Sequence, residues 1–258
     1  MGLPLTTPSA AALGLSILLG WLAGGLANWA ADVLPGRGQA SDPEAPPTAP
    51  TPGRHGPIAT LHYLTLPWYP FRRGICPHCD ERRPIRAPLL EAATVVAFAL
   101  AWLLTPAPWF LTPVSWSLAT TCLYATFLLA VLVIDLEHRR VLNVMVAPAA
   151  VVALLISFLP GGPTPVQALI GGALGFGVFF LLALIGRGAM GLGDVKLAGV
   201  IGLMTGYPLV VAALALGIVL GGIAAIALLV TRRAGRKGTM AYAPYLALGT
   251  IIVLLAAG

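Results

Sequence analysis

Residues Leu209–Val230 read LVVAALALGIVLGGIAAIALLV. The run has no charge, amide or hydroxyl, and as a helix it would extend about 33 Å. That matches the ~30 Å hydrocarbon core of a bilayer, where a helix satisfies its own backbone hydrogen bonds. Working outward, further apolar segments lie at approximately 8–31, 89–105, 114–134, 141–159, 166–186, 195–207 and 241–257. The expected fold is therefore all-α, a polytopic membrane protein with about eight transmembrane helices. The sixth segment is short and carries Lys196 near its start, so it is expected to be tilted, broken or partly re-entrant. Pro208 separates it from the seventh.

Composition agrees. Hydrophobic residues make up 58% of the 258 and charged residues 9%, against about 25% charged in soluble domains. There is too little polar surface here to coat a soluble core. Gly-rich faces in the first and fifth segments (Gly20, Gly24, Gly25; Gly171, Gly172, Gly175, Gly177) suit close helix packing. The net charge of +6 does not point to nucleic acid, because the basic residues form short clusters between apolar segments without interleaved aromatics. The first segment lacks a basic n-region and a clean small-x-small site, so it reads as a retained helix rather than a signal peptide.

The expected organisation is a first transmembrane helix in 1–31, a polar loop in 32–88 and a seven-helix membrane domain in 89–258. The loop opens with a Pro-rich linker, Pro35 to Pro57, and continues to a single Cys76-x-x-Cys79. Eight crossings put loops 32–88, 135–140, 187–197 and 231–240 on one side, with seven, two, two and four of the 15 Lys and Arg. The opposite loops have none. The positive-inside bias makes the charged side cytoplasmic and turns both termini outward.

Nine acidic residues exist. Those of the long loop, with Glu137, read as solvated, and Glu91 reads as an interface marker. Asp135 ends an apolar run, and Asp194 follows Gly191-Leu192-Gly193 at the same expected depth on another helix. Carboxylates near lipid are costly and functional by default. Two within reach of each other share protons, one acting as base and the other as acid, as an aspartic protease requires. The same two residues could also be water-facing caps, or could carry a proton or cation in a small transporter; a catalytically idle membrane scaffold is a third reading. The transporter would tend to show related halves, and no internal repeat is visible.

The stretch Gly188-Ala189-Met190-Gly191-Leu192-Gly193-Asp194-Val195-Lys196-Leu197 resembles the GxGD signature of the type IV prepilin peptidases, membrane aspartic proteases. Val133-Ile134-Asp135-Leu136-Glu137-His138-Arg139-Arg140 resembles their first aspartate motif, with Val141-Leu142 where Ile-Pro is usual. Gly24 to Asn28, Arg73 to Cys79, Pro88 to Glu91 and Tyr242 to Gly249 (against Phe-Gly-Pro-Phe-Leu-Ala) are similar to further family segments, in order. The resemblance implies Asp135 and Asp194 as the catalytic pair, with Gly191, Gly193 and Lys196 shaping the site. It also implies leader cleavage of prepilin-like or pseudopilin substrates at the cytoplasmic face of the bacterial inner membrane, and no cofactor for proteolysis.

Relatives that also methylate the new N-terminus use S-adenosylmethionine and carry two CxxC pairs in this loop. The single pair here supplies half of a tetrahedral zinc site, so zinc at Cys76 and Cys79 would need His78, His62, His55 or a second chain. The alternative is a turn with two reduced thiols. S-adenosylmethionine is expected only if methyl transfer is retained. Cys122, inside an apolar segment, reads as a packing residue.

Overall fold

Each apolar run becomes a helix. The computed structural model describes residues 10–39, 63–65, 69, 83–105, 113–186, 191–231 and 242–257. Among these, eight helices follow one another: α1 (Ala10–Gln39), α2 (Arg86–Leu104), α3 (Pro113–His138), α4 (Asn143–Ile156), α5 (Pro165–Ile185), α6 (Leu192–Thr205), α7 (Leu209–Val230) and α8 (Ala243–Ala257). No strand occurs among the described residues.

Five stretches are long and apolar enough to cross a membrane: Ala11–Pro35, Arg86–Leu104, Ser117–His138, Pro165–Ile185 and Leu209–Leu228. Helices α4 and α8 are apolar but shorter. Helix α6 has 14 residues, about 21 Å, and falls short of the hydrocarbon thickness. Large apolar side chains on the long helices face outward, with Ile185 78% and Val230 77% exposed. Only lipid covers such a surface without cost, and the chain is a membrane protein.

The chain divides into two compact units, one ending at Ala130 and the other running from Val131 to Ala257, with the boundary inside α3. In the first unit α1 packs on α2 through glycine. A Cβ at Gly24 would lie 2.5 Å from Thr94 Oγ1 and 2.6 Å from Glu91 Cα. Helix α1 continues past Ala31 to Gln39 with Pro35 inside it. Ala30 to Leu34 contains no breaker, and Asp32 pairs with Arg83 (2.6 Å) and with Arg86 at the start of α2, which ties the extension down.

Glu91, expected at the interface, is instead completely buried. Its Oε2 accepts from Trp21 Nε1 (2.8 Å), and its Oε1 accepts from Asn28 Nδ2 (3.2 Å), Thr65 N (2.6 Å) and Thr65 Oγ1 (2.7 Å). Donors on both oxygens replace the lost hydration. Beside them the Arg83 guanidinium lies over the Tyr63 ring, 4.9 Å from its centroid. Cys122 in α3 is a half-buried free thiol.

In the second unit α6 touches α4, α5, α7 and α8. Its contact with α5 is backbone on backbone: a Cβ on Gly171 or Gly202 would collide with the other's carbonyl oxygen, and one on Gly175 with that of Ala198. Helices α7 and α8 meet in the same way, with a Cβ on Gly249 falling 2.6 Å from Gly217 N. Thr164 and Gln167 form a capping box at the start of α5. Gly206 ends α6 at φ 67, where a side chain would both strain the backbone and strike Pro163.

Two predictions follow from this packing, each read as a thermal unfolding midpoint in detergent. Gly202→Ala should destabilise by about 1–3 kcal/mol, whereas Gly177→Ala, with open space around it, should stay within about 0.5 kcal/mol. Glu91→Ala strands the Trp21 and Thr65 donors and should cost roughly 3 kcal/mol or more.

Candidate active site

The start of α6 is an electrostatic problem solved locally. A helix leaves its first N–H groups without intrahelical acceptors, and Gly191, the residue before α6, offers no side chain to cap them. Asp194 stands three positions on and interacts with the Gly191 backbone N–H. This is the reverse half of a capping box, and the carboxylate also meets the positive end of the helix dipole. Gly191 leaves its Cβ position 3.8 Å from Asp194 Oδ2, so the carboxylate lies along bare backbone.

Asp135 arrives from a helix end of the opposite sense. Its carbonyl accepts from Arg139 N at 2.8 Å, and Arg139 takes a left-handed φ of 51, which closes α3 after His138. Both carboxyl-bearing residues are buried, Asp135 4% and Asp194 9% exposed. The charge of Asp135 acts on Asp194. The backbone N–H of Ala243, the first residue of α8, lies near both carboxyl groups. Asp135 Oδ2 is buried and has no hydrogen-bond partner.

The structure therefore brings Asp135 and Asp194 together at the meeting of three helix ends. Gly193 shapes the same corner: a Cβ there would lie 2.9 Å from the Cβ of Val141, in the turn between α3 and α4. Tyr242, just before α8, feels the Asp194 charge and is braced by Phe179 (6.2 Å between centroids) and Tyr245 (6.5 Å). Lys196 stands apart from the pair. Its Nζ donates to Asn143 Oδ1 at 2.9 Å, so it is held by α4. Glu137 and His138 are exposed.

Ala243 carries no side-chain signal, and sequence reasoning passed over it except as part of the Tyr242–Gly249 resemblance. Cys76 and Cys79, with His55, His62 and His78, lie outside the described residues. Among the described residues no group of three His, Cys, Asp or Glu gathers to hold a metal. Two acidic groups sharing a buried site cannot both ionise freely, so such a pair holds one proton between them and can serve as acid and base at once.

Part of the chain is similar to known proteins. Residues 122–226 match the model of the type IV leader peptidase family. The prepilin leader peptidase/N-methyltransferase of Bacillus subtilis is 28% identical, with 72% of each chain covered. The protein of the same name from Pseudomonas putida is 28% identical over 77% of this chain and 66% of its own. The type 4 prepilin-like proteins leader peptide-processing enzyme of Escherichia coli O78:H11 is 31% identical over 58% and 53%. No solved structure matches. Residues 122–226, the stretch similar to the type IV leader peptidase family, hold both aspartates.

Proposed function

We propose that this chain is an aspartic endopeptidase that removes the leader of prepilin-like or pseudopilin proteins, with Asp135 and Asp194 as its catalytic pair. The observation that carries this reading is the approach of two buried carboxyl groups from separate helices, near enough for the charge of one to act on the other. The ionised member of the pair takes a proton from water while the water oxygen bonds to the scissile carbonyl carbon. The protonated member gives its proton to the carbonyl oxygen. Collapse of the tetrahedral species then breaks the C–N bond, and the proton first taken from water passes to the leaving amine. The unpartnered Asp135 Oδ2 is free to accept from that water. Gly191 and Gly193 leave the backbone bare where an extended peptide would pass.

The charge partition of the loops supports a cytoplasmic site, outward termini and the bacterial inner membrane as the setting. The names of the Bacillus and Pseudomonas relatives join N-methyltransferase to the peptidase. Methylation of the new N-terminus by S-adenosylmethionine is accordingly included in the reading as a second activity, and no step of the cleavage runs through a methyl donor or a metal.

The test is cleavage of a prepilin-like substrate by the membrane-reconstituted protein, followed by mass, with S-adenosylmethionine present to reveal any added methyl group. Asp135→Asn and Asp194→Asn should each lower the rate by about 10²-fold or more while helicity is kept. Cleavage surviving both changes would sink the mechanism, and substrates left intact by the unmodified chain would favour an idle scaffold. Because one proton must be shared, the rate should fall on the acid side, where both groups are protonated, and on the basic side, where both are ionised. Gly193→Ala should cost roughly 10–100-fold by pushing the α3–α4 turn away from α6. Adding Val141→Gly, which removes the struck Cβ, should recover most of that loss.

A further inference from the structure

Asp194 and Lys196 are two residues apart in α6, which turns their side chains about 200° from each other around the helix. Asp194 faces Asp135 and Ala243, and Lys196 faces α4 and α5. From the Lys196–Asn143 hydrogen bond (2.9 Å) a trough of about 610 Å³ runs between α4, α5 and α6. Its walls include Val146 and Ala150 of α4, Ala173 and Phe176 of α5, and Val200 and Leu203 of α6. Lys196 is the one charged residue lining it. The trough thus has a cationic, amide-bearing head beside the polar turn that precedes α4, and an apolar body leading away along α6.

We propose that this trough is a binding site for an anionic phospholipid, its phosphate on Lys196 and Asn143 and one acyl chain along α6. Charge selects the lipid over a second helix, such as the apolar segment of a substrate. A helix entering with its N-terminus beside Lys196 would bring the positive end of its dipole to an ammonium, whereas a phosphate is attracted there. After the bond to Asn143, the ammonium still has two further N–H donors for such an anion.

The site lies on the face of α6 opposite the aspartate pair, and the proposal rests on the membrane reading alone, so it stands or falls independently of the peptidase. The experiment is native mass spectrometry of the full chain in detergent with phosphatidylglycerol, and with phosphatidylcholine of the same acyl chains, counting retained lipids. The unmodified chain should hold one phosphatidylglycerol in preference to phosphatidylcholine. Lys196→Gln should lower that retention by roughly fivefold, the worth of one lysine at a membrane surface. Ala150→Phe, which fills the trough, should abolish it; Ala147→Leu at the exposed rim replaces that variant if it fails to fold. Retention unchanged in Lys196→Gln, or in the filled trough, overturns the proposal. Unchanged retention with a raised KM for cleavage in the filled trough overturns it in favour of a substrate helix.

Discussion

The second unit depends on the approach of α5 and α6 at their glycines. In hydrocarbon there is no hydrophobic force between helices, so packing at close range has to hold them. At Gly171, Gly175 and Gly202 the contact is backbone against backbone. That approach lets a helix of 14 residues, too short to cross the bilayer alone, sit among four neighbours. Gly191 and Leu192 at the start of α6 are exposed while Asp194 and Val195 are buried, and the first donors of the helix need acceptors. Asp194 supplies one, which means the residue proposed for chemistry also closes the helix that carries it.

This merges two readings that the sequence left as alternatives, a helix cap and a functional carboxylate. A cap tolerates any short acceptor; what distinguishes Asp194 is the second carboxyl group beside it. Asp135 reaches that position because α3 stops within one turn of it, at the left-handed Arg139, and because the following turn lies against the bare face of Gly193. The geometry of the pair is thus set by two chain terminations, and Gly193 at the start of α6 lets the turn after α3 come close.

Apolar run length was enough to place the eight helices, and the isolation of Asp135 and Asp194 among apolar neighbours was enough to single them out. Other features were illegible for physical reasons. A donor such as the Ala243 N–H belongs to the backbone and leaves no trace in residue type. The orientation of Lys196 depends on which neighbour α6 meets on each face, and the motif is silent about that, so proximity in sequence to Asp194 was a poor guide to proximity in space. Glu91 looked interfacial because its partners, Trp21, Asn28 and Thr65, come from 26 to 70 residues away. The extension of α1 to Gln39 rests on ion pairs from Asp32 to Arg83 and Arg86, equally distant in sequence.

Glu91 and Asp135 show two ways of burying a carboxyl group. Both oxygens of Glu91 have donors. A group so fully satisfied is rigid and has nothing left for a ligand, and its removal would leave donors stranded. Asp135 has no donor on Oδ2. An unpaired atom is not by itself a mark of chemistry, since Asn28 Oδ1 beside Glu91 also lacks a partner. What sets Asp135 apart is the second carboxyl group whose proton it would share under the proposed mechanism.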